Sequence, residues 1–229
     1  MTEGSRTGQT TPPGRAVLTT PRAAAIAGIA FAALLGTSIV LMRLSFPDSP
    51  TATSAELTPG RRNAVTVALA LMPYAGIAFL WFIGVVRDRI GDFEDRFFAT
   101  VFLGSGLIFL TLLFCASATL GGLAAVTGSA PVGPDVWSVG KATSYTALNV
   151  YSTKMAGVFM ISTATIALRT RVLPRWLATL GFALAAAMVL LSGWLGWLEI
   201  AFPAWVLLVS LQILRGGFRI RTRHPQSKG

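Results

Sequence analysis

The sequence predicts an all-α protein, an integral membrane bundle of six transmembrane helices with both termini on the cytoplasmic side. Three observations predict it. Only 12% of the 229 residues are charged, against about 25% in an ordinary soluble domain. The mean hydropathy is +0.66, and the apolar residues fall in runs of the length a bilayer demands. Lys and Arg gather at alternate ends of those runs, as cytoplasmic loops require.

A hydrocarbon core of about 30 Å takes roughly 20 helical residues to cross. Six stretches meet that need. The first is 23–42, between Arg22 and Arg43. The second is 64–86, ending at Arg87. The third, 97–126, is longer than a span requires, and Gly121-Gly122 marks expected fraying or tilt at its outer end. The fourth is 148–168 and contains Lys154. The fifth and sixth, 177–194 and 196–214, are nearly fused. Length and the punctuation of Gly196 and Pro203 divide them. Pro73 and Pro203 are expected to kink their helices.

The orientation follows from the cations. Arg6, Arg15, Arg22, Arg87, Arg89, Arg96, Arg169, Arg171, Arg175, Arg215, Arg219, Arg221, Arg223 and Lys228 fall on one side of six spans. Arg43, Arg61, Arg62, Lys141 and Lys154 fall on the other. Positive charge stays inside, so both termini are expected in the cytoplasm. Trp81 and Trp176 then fall near the inner surface, and Trp137, Trp194, Trp197 and Trp205 near the outer one. Residues 1–21, rich in Thr, Gly and Pro, read as a disordered tail. Residues 22–215 form the membrane domain, and 216–229 a basic tail suited to anionic lipid headgroups.

Charge and composition narrow the chemistry. The net charge of +10 lies beside apolar runs and serves membrane orientation; nucleic acid is not an expected partner. There is one Cys, Cys115, and one His, His224 in the tail. That leaves no intramembrane Cys/His metal site, bis-His haem or His-dependent nucleophile. Gly104-Ser105-Gly106 is therefore not read as a hydrolase turn. The segment RDRIGDFEDR at 87–96 reads as a solvated loop with Asp92 capping the third helix. Asp92, Glu94 and Asp95 make a poor metal cluster beside three arginines. No cofactor is expected.

Two constellations stand out. Ala24, Gly28, Ala32 and Gly36 recur every fourth residue and form a helix-packing stripe, within the bundle or between protomers. Lys154 and Glu199 are the ionisable residues inside the spans. Counting up from Arg169 and Arg215, they lie roughly 22 Å and 24 Å from the cytoplasmic helix ends. They are thus candidates for an ion pair across the fourth and sixth spans. Lys154 has another reading, in which its stem lies in hydrocarbon and its ammonium reaches the headgroups. Asn149 and Thr153 join Lys154 and Glu199 as a candidate polar intramembrane site able to line an outer vestibule. Ser and Thr there can equally bond their own helix backbone.

Residues 169–181, RTRVLPRWLATLG, resemble a join in small bacterial multi-pass membrane proteins of unknown function, and the Ala/Arg/Gly-rich wording is similar to actinobacterial protein. Pro174 can start the helix, while Arg175 and Trp176 anchor it at the interface. The resemblance implies no activity and no functional residues. The expectation from the residues is a non-enzymatic membrane protein, an accessory subunit or organiser of a complex, in contact with lipid and with other membrane subunits or further copies of itself. The alternative is a small transporter or channel for a polar or anionic solute, with Lys154 in an outer vestibule.

Overall fold

The computed structural model describes residues 20–45, 58–90, 96–129, 132–170 and 173–221. Every regular element among them is helical. In chain order they are α1 (Thr20–Ser45), α2 (Pro59–Ile90), α3 (Arg96–Ser129), α4 (Pro134–Thr146), a π-helical segment (Ala147–Ser152), α5 (Thr153–Thr170), α6 (Arg175–Leu191), a 3-10 turn (Leu198–Ile200) and α7 (Ala201–Arg221). The tail before residue 20, Asp92, Glu94, Asp95, His224 and the basic end beyond Arg221 lie outside the described residues.

Four helical stretches are long and apolar enough to cross a membrane: Arg22–Ser45, Pro59–Arg87, Phe97–Thr127 and Leu198–Arg215. Arg175–Leu191 is apolar but shorter. The chain thus has the makings of a membrane-embedded helical bundle.

Several local expectations are corrected. The apolar stretch 148–168 does not begin a helix of its own; it is the C-terminal part of a continuous helical rod over residues 134–170. The N-terminal part of the rod begins where Gly133 and Pro134 set a helix start, with Pro at the first turn and Asp135 beside the free N–H groups. That part is weakly apolar, so a search for hydrophobic length misses it. Gly121 and Gly122 do not fray α3, which continues to Ser129, held by α4 where Gly140 lets Leu123 approach. A Cβ at Gly140 would stand 3.4 Å from the Leu123 methyls. The turn between the last two apolar stretches starts at Ser192, directly after α6 ends at Leu191. The turn needs Gly193, whose φ of 95° lies in the left-handed region that side chains disfavour. Pro203 sits in the first turn of α7, where no hydrogen bond is lost and no kink is required.

Neighbours pack as α1 against α2 and α7, α5 against α6, and α3 against the whole 134–170 rod and α2. Their common centre is a layer of phenylalanines. Phe31 stacks on Phe79 at 4.6 Å between centroids, and Phe102 on Phe159 at 4.7 Å. Phe202 meets Phe31, Phe79, Phe109 and Phe159 edge-on at 4.9–5.8 Å. Edge-to-face and offset contacts suit the ring quadrupole. Trp205 and Trp137 are also buried, so neither belongs to an outer aromatic belt. The Trp205 indole N–H donates to the Leu177 carbonyl at 3.2 Å and its ring lies against Gly181, where a Cβ would stand 2.9 Å from Nε1.

The small-residue stripe of α1 divides. Ala24, Gly28 and Ala32 are buried inside the bundle, and any Cβ on Gly28 would collide with Ser210 of α7 and Phe82 of α2. Gly36 is half-buried and faces open space. Gly28→Val is therefore expected to destabilise the bundle by about 1–3 kcal/mol, the usual range for overpacking. Gly36→Val is expected to leave stability unchanged. Unfolding in mixed micelles titrated with dodecyl sulfate measures both, and equal effects would contradict the packing described.

Candidate functional site

Glu199 occupies the 3-10 turn that leads into α7, one turn before Phe202. Its residue surface is 8% exposed. A carboxylate placed there must find a partner, because neither the rings below it nor hydrocarbon can solvate charge. The partner is Arg43, at the far end of α1. Arg43 Nε donates to Glu199 Oε1 at 2.8 Å. The other carboxylate oxygen, Oε2, is buried with no hydrogen-bond partner among the described residues.

Arg43 also reaches the 134–170 rod. Its Nη2 donates to Asn149 Oδ1 at 2.6 Å. The guanidinium carbon lies 5.8 Å from the centroid of the Tyr145 ring and 5.9 Å from that of Trp197, within the range of cation–π attraction. Gly196 makes room for it, since a Cβ there would stand 3.2 Å from Nη1. One planar cation thus ties α1, the π segment and the turn before α7 together. A lysine, with a compact ammonium, could not make these contacts at once.

The π segment sets Asn149 in place. A widened turn leaves backbone carbonyls poorly matched to the N–H groups four residues on. Side chains take up two of them. Asn149 Nδ2 donates to the Tyr145 carbonyl at 3.1 Å, and Thr153 Oγ1 donates to the Leu148 carbonyl at 3.1 Å. Asn149 is half-buried and Thr153 is buried. Other hydroxyls in this helix also serve its own backbone: Ser162 bonds Val158 and Thr163 bonds Phe159. Ser105 does the same in α3, donating to the Val101 carbonyl at 2.7 Å.

The structure therefore brings Asn149 and Glu199 together through Arg43 and leaves Lys154 out. The pairing of Lys154 with Glu199 is corrected: equal height along two helices does not bring two side chains to one azimuth. Lys154 is half-buried and forms no ion pair or hydrogen bond with a described residue. In the sequence Arg43 reads as the boundary of the first apolar run. A usable signal was present, since Arg43 ends its helix on the same side of the bundle as Glu199. The π segment, Tyr145 and Trp197 gave none.

The arrangement holds a cation in a carboxylate, amide and aromatic cage. The charges neutralise each other, and among the described residues no group of three His, Cys, Asp or Glu side chains gathers to hold a metal. Its physical capacity is to lock three elements at one end of the bundle. The chain matches no protein-family model, no curated protein and no solved structure, so the cluster is read from its own geometry.

Breaking a buried pair from one side costs about 3–5 kcal/mol, while replacing both partners with apolar groups costs much less. Arg43→Met and Glu199→Met are each expected to destabilise strongly, and the double variant less than their sum. Lys154→Met combined with Glu199→Met is expected to be additive within about 0.5 kcal/mol. Coupling in the second cycle and none in the first would reverse the assignment of partners.

Proposed function

We propose that this chain is a non-catalytic, multi-pass membrane protein that serves as an accessory or organising subunit of a membrane complex. In this reading six helices span the plasma membrane of a bacterium, both termini are cytoplasmic, and the basic C-terminal end lies against anionic headgroups.

One observation carries the proposal: the centre of the bundle is filled by packed phenylalanine rings from five helices. A permeation path for a polar solute needs polar groups near the midplane. Here the buried carboxylate just above the rings is joined to Arg43 through one oxygen, and the hydroxyls of Ser162 and Thr163 bond their own backbone, while Ser144 and Ser192 bury hydroxyls without a hydrogen-bond partner among the described residues. Acid–base or nucleophilic catalysis would call for free carboxylates, imidazoles or thiols facing a common space. Cys115, the lone thiol, is exposed on the side of α3.

Four arginines support a common membrane plane at one end of the bundle. Arg22, Arg87, Arg169 and Arg215 stand about 12–20 Å along their helices from the nearest phenylalanine of the central layer, at 1.5 Å per residue. They would mark one headgroup plane, with the phenylalanines near the middle of the bilayer.

The competing reading is a small transporter or channel with Lys154 attracting a polar or anionic solute; its half-exposed, unpaired ammonium favours it. Single cysteines at positions 149, 153 and 154, in a Cys115→Ala background, separate the two. With a membrane-impermeant charged thiol reagent added outside intact cells, slow labelling at all three is expected. Fast labelling at all three would establish a water-filled entrance and sink the accessory reading. Reporter fusions at Gly229 and at the N-terminus are expected to report the same, cytoplasmic, side.

A further inference from the structure

The rod over residues 134–170 carries two faces that one unbroken α-helix would not align. In α5, Ala156, Phe159, Met160, Ala164 and Ala167 are buried. In α4, Trp137 and Ser144 are buried, while Ser138, Ala142 and Tyr145 are exposed. At about 100° per residue along a straight α-helix, Ser138, Ala142, Tyr145 and Asn149 would fall within about 40° of Ala156, on the buried side. Trp137 and Ser144 would fall about 100–120° away from it. The observed burial is offset from that pattern by one residue. The π segment at Ala147–Ser152 supplies the offset, because a π turn takes in one residue more than an α turn.

The wide turn is unfavourable where it stands. Two of its carbonyls take side-chain donors, from Asn149 and Thr153. The Ser144 hydroxyl is buried with no partner among the described residues. Closing the turn to α-helix would restore regular backbone bonds and carry Ser144 off the buried side. Something must therefore keep the turn open. At the turn itself that group is Arg43, whose Nη2 donates to Asn149 Oδ1 at 2.6 Å and whose guanidinium lies over Tyr145. Both residues face Arg43 only in the present register, since closure would swing them about 100° away. Arg43 is tied to Glu199 through Nε at 2.8 Å and does not follow them.

We infer that Arg43 is a latch on the register of this rod: through Asn149 it keeps the π turn open and so sets which face of α4 lies on α3. Release of Asn149 lets the turn close, rotates α4 by one residue and brings Lys141 to the place of Gly140 beside Leu123. The state of the Arg43–Glu199 pair is thereby coupled to the α3–α4 contact, about 13 Å along the rod from Asn149. This coupling is independent of the accessory-subunit reading.

The test uses the full chain in phosphatidylcholine vesicles, with Cys115→Ala. Leu123→Cys is paired either with Gly140→Cys or with Lys141→Cys. Disulfide formation under copper phenanthroline is followed by the intact mass after the remaining thiols are alkylated. With Asn149 present, the 123–140 pair is expected to close faster than 123–141. Asn149→Leu leaves the Arg43–Glu199 pair in place and is expected to move the preference toward 141 by about tenfold, the scale of one charge-assisted hydrogen bond. Deleting Val150 removes one residue from the π segment, so the rod becomes a straight α-helix with α4 in its original rotation. Combined with Asn149→Leu, this deletion is expected to return the preference to 140. A 140 preference that survives Asn149→Leu would show that Arg43 does not set the register. Loss of both cross-links in Asn149→Leu, or no recovery on deleting Val150, would overturn the latch equally, since an unfolded rod is not a rotated one.

Discussion

Phe31, Phe79, Phe109, Phe159 and Phe202 come from five different helices and meet in one layer, each ring within 6.4 Å of at least two others. In lipid, helix association gains little from apolar burial, because acyl chains are as apolar as leucine. Close van der Waals contact has to do the work instead. Flat rings at the junction supply large contact areas in few rotamers, and glycines let the backbones come near enough for those contacts to form. Gly28 against α7 and Gly181 beneath Trp205 are the clearest cases. Displacing one helix from this junction would loosen four others.

The ion pair stands directly on that layer. Glu199 is one helical turn from Phe202, so its carboxylate lies where dielectric screening is weak. That explains why the partner is an arginine with several donors, why Asn149 and two rings complete its surroundings, and why the chain widens into a π turn beside it. The π turn costs regular backbone hydrogen bonds, and the polar side chains of Asn149 and Thr153 replace part of them. The polarity of Asn149 and Thr153 is thereby used within the protein, while Glu199 Oε2 and the Ser144 and Ser192 hydroxyls stay buried without a partner among the described residues.

Lys154 is the exception, and its contrast with Arg43 is informative. Both are cations on the same side of the bundle. Arg43 ends its helix and turns back into the interior; Lys154 stands mid-rod and outward. An intramembrane charge that the fold satisfies is structural. One that the described residues leave unpaired can extend its stem toward headgroups or water.

Much of the architecture was legible in the residues. Scarcity of charge, runs of apolar length and alternating clusters of arginine are one-dimensional properties, so the helical class and the positions of the long apolar helices could be read directly. Local backbone signals such as Gly133-Pro134 and Gly193 were present but outweighed by hydropathy, which is why α4 was not foreseen and the turn after Leu191 stayed open. Contact was not legible. Helical rise gives the height of Glu199, Lys154 and Arg43, but their azimuth depends on how each rod is rotated by packing, and that rotation is set by the phenylalanine layer. The sequence by itself determined that a carboxylate would be buried in apolar surroundings and would need a cation; only the tertiary structure decided that the cation is Arg43, because choosing between two charges at like depth requires knowing which of them faces inward.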